Sequence, residues 1–193
     1  MKHLIRTTVI IFLFLGCRKE LREGAKKGSH HHRVEKKKTP KKTVLSPHAH
    51  AMAMIGEAHI HIDYSSPSVR GRMIFGGLLA YDEVWQSGAH NATWLETNKD
   101  LLIDGEILEA GKYGLFTIPS RGDWTVIFNT NWNQHGKDAY DKKEDALRFK
   151  VTPKFLQGLT EHLKYEVKKS SNTHGTISLS WEQVAILFPF EVK

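Results

Sequence analysis

From residue 47 onward the chain alternates apolar and polar positions in short runs, each closed by turn residues. A period of two is the mark of half-buried β-strands. Ile60, Ile62 and Tyr64 alternate with His59, His61 and Asp63. Leu101–Ile103 and Glu106–Leu108 flank Asp104-Gly105, a dipeptide that accepts the positive φ angles of a two-residue hairpin turn. Glu109-Ala110-Gly111 marks the next turn and residues 113–118 the next strand. After a reversal at 119–123, Trp124, Val126 and Phe128 share one face. Leu163, Tyr165 and Val167 alternate with charged residues, and Ile177, Leu179 and Trp181 with serines. Val184, Ile186, Phe188, Phe190 and Val192 fall on one face of the last strand. Pro189 has no N–H for a ladder, which predicts an edge or a bulge there. Helix is scarce; a turn or two is expected over 46–55 and around 142–146 or 153–158. The sum is an all-β chain with one domain over 47–193, an antiparallel β-sandwich or jelly-roll-like fold.

The N-terminus follows other rules. Lys2 and Arg6 precede an apolar run over 7–15, then Gly16 and the chain's single cysteine, Cys17. The run is too short to span a bilayer and has the flanks of a secretory signal. A lone cysteine at this point predicts a lipoprotein signal peptide over 1–16. Cys17 would be the lipidated residue, carrying acyl chains such as palmitate that anchor the product to a membrane. Phe14 and Leu15 are bulkier than the small residues usual before such a cysteine. With Cys17 consumed, the mature domain has no thiol for a disulfide. Residues 17–46 are then expected to be a disordered basic tether, since they carry almost no large apolar residues.

The charge balance changes meaning once the tether is set apart. The formal net charge is +7, but 18–46 hold eleven Lys/Arg against three Asp/Glu. Residues 47–193 hold 15 Lys/Arg against 18 Asp/Glu, about −3. The basic charge is thus no nucleic-acid footprint, and no nucleic-acid partner is expected. It suits an anionic membrane surface, or is simply a solvated linker. His30, His31 and His32 lie in the tether and carry no catalytic expectation.

Several multi-residue motifs occur in order: YSSPSVRGRMIFGGL over 64–78, VWQSGAHNATWLE over 84–96, AGKYGLFTIP over 110–119, DWTVIFN over 123–129, LRFKV over 147–151 and SWEQ over 180–183. In these the chain resembles the bacterial domain of unknown function 2911, found mostly in secreted proteins and lipoproteins. The resemblance covers nearly all of 47–193. It implies a β-sandwich-like domain of the cell envelope and supplies no activity. The chain departs from the usual pattern at Gln86, where arginine is common, at His90, where asparagine is common, and at His135, often tryptophan.

Candidate chemistry falls in two places. His59, His61 and Asp63 share one strand face, with the two histidines roughly 7 Å apart. His48 and His50 repeat the spacing. His59, His61 and His90 are therefore candidate ligands of a divalent metal; equally, they are solvated residues opposite the buried Ile60, Ile62 and Tyr64. The 84–94 segment is the better site: Trp85, His90, Asn91, Thr93 and Trp94 surround Gly88 and Ala89, and Arg72 could clamp an anion. The alternative is that its tryptophans are core and its polar groups satisfy a turn. Trp132, with Asn131, Asn133, Gln134 and His135 nearby, could offer a platform for a sugar ring. No nucleophile elbow or phosphate loop is present.

These observations point to a membrane-anchored envelope lipoprotein whose β-sandwich binds a ligand, such as a glycan. One alternative is a metal-dependent hydrolase or isomerase using the histidines. Another is a structural envelope protein that associates through an edge strand.

Overall fold

The structure, a computed structural model, describes residues 44–193. The expected signal peptide, Cys17 and nearly all of the tether lie outside the described residues. Two antiparallel sheets make up the domain. One has six strands in the order β1-β2-β3-β6-β7-β8: His48–Ile55, Ala58–Ser65, Trp94–Thr97, Gly111–Ile118, Trp124–Asn129 and Asp145–Val151. The other has the order β5-β4-β10-β9: Glu106–Leu108, Leu101–Ile103, His174–Val192 and Lys154–Lys169. Ile60, Ile62, Leu95, Val126 and Phe128 of the first sheet share one buried core with Ile177, Leu179, Trp181, Ile186 and Phe188 of the second. Phe188 meets Phe128 and Phe149 edge-on at 6.2 and 5.1 Å, which locks the sheets face to face. The expected all-β sandwich is what forms.

Asp104 and Gly105 have φ of 52° and 86°, the two positive angles the hairpin required. Of the three places where a turn or two of helix was expected, two need correction. Residues 46–55 form strand β1 after Ser46-Pro47, paired along its whole length with β2 through the turn Gly56-Glu57. Residues 153–158 open strand β9. Residues 142–146 give only a 3₁₀ turn, Lys142–Glu144, capped by the Asp141 carboxylate, before β8 begins.

Strand β10 is not an edge but is bulged, its register against β9 shifting on either side of Glu182. Its ends meet, because the Val192 N–H donates to the Thr173 carbonyl and Phe190 packs on Gly175. Nineteen extended residues would span roughly 60 Å. The element therefore doubles back, and both contacts are symmetric about Glu182-Gln183. Glu182 there has a φ of 57°. Pro189 is tolerated because pairing with β4 begins only at Glu191 and pairing with β9 ends at Ala185.

The outer face of the six-stranded sheet divides in two. Phe116 of β6 and Ile127 of β7 point away from the main core and form a second cluster with Ala92, against which Val84 and Tyr140 pack. The 84–92 segment and the loop after β7 thus cover the β6–β7 end. The β1–β2 end stays open, and every second residue there is exposed or half-exposed.

Candidate functional site

At the seam between the covered and open halves lies a cleft of about 170 Å³. Trp94 of β3 and Trp132 from the loop after β7 form part of its lining, with His48 and Asp63 from the β1–β2 hairpin. His90, Asn91, Asn133 and Gln134 supply further polar groups. The two indoles meet edge-on with centroids 6.3 Å apart. The Lys112 ammonium sits 3.4 Å from the Trp94 centroid and 3.9 Å from that of Trp132. A cation held against two rings fixes both orientations. His48 Nε2 lies 2.8 Å from Asp63 Oδ2.

Both loops are braced before any ligand arrives. The Ala92 N–H donates to the Gln134 carbonyl at 3.0 Å, and the Gly136 N–H to that of His90 at 2.8 Å. Asn129 Nδ2 donates to Asp145 Oδ1 and to the Asp141 carbonyl, while Asn129 Oδ1 accepts from the Asn131 N–H. Gln134 donates to the Asn131 carbonyl and accepts from the Ala139 N–H. Gly114 lies under the loop: an added Cβ would stand 3.3 Å from Trp132 Cα and 2.8 Å from the Phe116 ring. Glycine is what lets the Trp132 loop sit so close to the sheet. Asn91 and Asn133 are exposed, and neither side chain bonds to another described residue. They are free to meet a ligand.

The loop's last brace has a measurable consequence. Tyr140 Oη donates to Asp145 Oδ2 at 2.9 Å and accepts from Arg148 Nη1 at 2.8 Å; the same guanidinium meets Asp145 Oδ2 at 2.7 Å. Burial, then the Asp145 carboxylate, pushes the Tyr140 pKa up to about 12, against the pull of Arg148. The folded chain thus keeps a proton that the unfolded chain releases near pH 10. This contribution to stability is complete below that pH and is lost as the pH rises towards 12. Tyr140→Phe is expected to remove it: denaturation at pH 9 and pH 11.5 would show a smaller fall in the variant than in the parent.

Of the six residues expected to bind a ligand, Arg72 and five from 84–94, the cleft gathers three: His90, Asn91 and Trp94. Three others are structural. Trp85 is 4% exposed, stacks on Trp181 at 5.7 Å and donates to the Gly88 carbonyl at 3.0 Å. Thr93 is fully buried and donates to the Ser87 carbonyl, which also accepts from Tyr165 Oη. Arg72 spends its fork on the backbone carbonyls of Val69 and Ser68. A segment dense in polar and aromatic groups satisfies its own buried turn first and leaves only its far end for a ligand. His90 holds a φ of 62°, a left-handed conformation that asparagine adopts more readily than most residues.

His59 and His61 stay on the open half, with ring centroids 6.0 Å apart. His61 also meets His50 at 6.0 Å and the Trp94 ring at 5.0 Å. Burial, with lesser contributions from His59 and His50, lowers the His61 pKa against the opposing Asp63 and Glu96 charges. His90 lines the cleft instead. Among the described residues no three His, Cys, Asp or Glu side chains gather as a metal cluster, so the triad of His59, His61 and His90 is not assembled. Sequence reasoning missed His48, Asp63 and Ser65 as cleft residues. The register that sets His48 beside Ser65 was hidden once β1 read as helix.

Fold and cleft together define a two-sheet antiparallel β-sandwich with a small, braced, aromatic and polar cleft on one outer face. The family described as "Protein of unknown function (DUF2911)" matches residues 46–190, and the chain belongs to it. No curated protein and no solved structure matches the chain.

Proposed function

We propose that this chain is an envelope lipoprotein, anchored through acyl chains on Cys17, whose β-sandwich binds a glycan in the Trp94–Trp132 cleft. The supporting observation is the convergence of two half-buried indoles and two free amides, Asn91 and Asn133, from separate parts of the chain. A sugar ring has an apolar C–H face and equatorial hydroxyls at its edge. Indole packs against the face, and amides both donate to and accept from the edge. The His48–Asp63 pair adds further polar partners. Drug-sized sites are roughly 300–1,000 Å³, so the smaller volume suits one ring or chain end of a longer polymer. The internal braces favour binding because little loop entropy is lost when a ligand arrives.

Calorimetric titration with a panel of soluble peptidoglycan fragments and envelope oligosaccharides tests the cleft. Binding by at least one class is expected, and silence across the whole panel would remove the glycan reading. The anchor is tested separately. The parent is expected to sediment with membranes, and Cys17→Ser to move it to the soluble fraction.

A further inference from the structure

We propose that the open face of the β1–β2 hairpin binds a soft monovalent cation, Cu(I) or its analogue Ag(I), through Met52, Met54, His59 and His61. The inward positions of β1 are Ala49, Ala51 and Ala53, packed against the core. The outward positions are His48, His50, Met52 and Met54, and those of β2 opposite them are Ser65, Asp63, His61 and His59. Every one of these positions except Ser65 holds a metal-ligating side chain.

The pairing register makes a block of four donors. Met52 stands opposite His61 and Met54 opposite His59. Directly opposed residues have Cβ atoms about 4.5–5.5 Å apart, and neighbours along one strand face are roughly 7 Å apart. An ion about 2 Å from a nitrogen of each ring places two imidazole centres roughly 5 to 6 Å apart. The His59 and His61 centroids are 6.0 Å apart. The two methionines are 51% and 54% exposed, so their thioethers are free to swing over the same ion. Strand β1 is the edge of its sheet, which leaves the block reachable from solvent.

The donor set chooses the ion. Thioether is a soft ligand that favours Cu(I), and imidazole also suits copper. A carboxylate-loving divalent ion finds little here. Asp63 is engaged by His48 at 2.8 Å, and no three His, Cys, Asp or Glu gather among the described residues. The thioethers of Met52 and Met54 complete a four-donor site with His59 and His61, which separates it from the expected divalent triad with His90.

The test uses the full chain carrying Cys17→Ser and alanine at 30, 31 and 32, because that thiol and those imidazoles would compete for the ion. The chain has four methionines, Met1, Met52, Met54 and Met73. Their ¹³C-labelled methyl signals are followed by NMR as Ag(I) is added. The expected result is that Met52 and Met54 shift and saturate at one equivalent, while Met1 and the exposed Met73 do not. Met52→Leu with Met54→Leu is expected to weaken binding at least 100-fold while the other signals keep the folded pattern. Equal shifts at all four methionines, meaning adventitious thioether binding only, or no shift at Met52 and Met54, would overturn the proposal.

Discussion

Trp85→Ala is expected to lower the stability of the domain by about 3–5 kcal/mol, the usual range for emptying a buried tryptophan site. The melting temperature should fall by roughly 6–20 °C, since 1 kcal/mol moves a domain of this size by about 2–4 °C. The indole is 4% exposed, stacks on Trp181 and meets Phe75 at 6.2 Å. Its N–H also closes the turn at Gly88, and alanine leaves that buried carbonyl without its donor. The turn is shared: Ser87 bonds Thr117 and accepts from Thr93 and Tyr165. A cavity at Trp85 therefore loosens the segment that carries His90 and Asn91. Thermal denaturation of the two proteins measures this directly. A melting temperature within a few degrees of the parent would mean Trp85 is not the core residue described above.

Trp132→Ala is expected to do the reverse: a large loss of glycan affinity with little change in stability. Trp132 is only half-buried and sits on a loop whose backbone is braced by Asn129, Gln134 and Asp145 independently of the indole. Removing an aromatic anchor at the centre of a site typically costs 2 kcal/mol or more in binding. That corresponds to roughly 30-fold in Kd. Lys112 would lose one of the two rings that hold it but keep the other, a small effect at a half-buried site. Calorimetry with the best oligosaccharide of the panel, paired with a melting curve, separates affinity from stability. Equal affinity in the variant and the parent would move the site away from this loop.

Much of the fold was legible because its strands have strong contrast. Ile60, Ile62 and Tyr64 against His59, His61 and Asp63 declare both faces of β2, and Asp104-Gly105 declares its turn. Strand β1 was not legible because its contrast is inverted. Its buried side is alanine and its exposed side includes Met52 and Met54, so apolarity marks the wrong face. Alanine and methionine are also good helix formers, and cross-strand pairing with β2 overrode that preference. Pro189 pointed to an edge or a bulged strand, and β10 is bulged on either side of Glu182 without being an edge. A proline needs only a missing partner at one N–H, and an inner strand supplies that wherever its neighbour has ended.

The candidate site was half legible. Tryptophan, amide and histidine density marked both the 84–94 and the 131–135 segments, but spacing alone could not show that Ala92 pairs with Gln134 and unites them. Density likewise could not separate Trp85 from Trp94. What separates them is register: Trp94 pairs with Gly114 in the sheet and projects over the Trp132 loop, whereas Trp85 bridges to Thr117 with its indole between the sheets.

The central claim is that the seam between the two halves of the outer face is where a glycan binds. The five tryptophans provide the most direct measurement, through their indole N–H signals in an NMR titration with the glycan panel. Trp94 and Trp132 line the cleft, while Trp85, Trp124 and Trp181 are buried in the core. The account predicts saturable shifts at Trp94 and Trp132 with the three core indoles unmoved. A glycan that binds while leaving those two signals in place would contradict it.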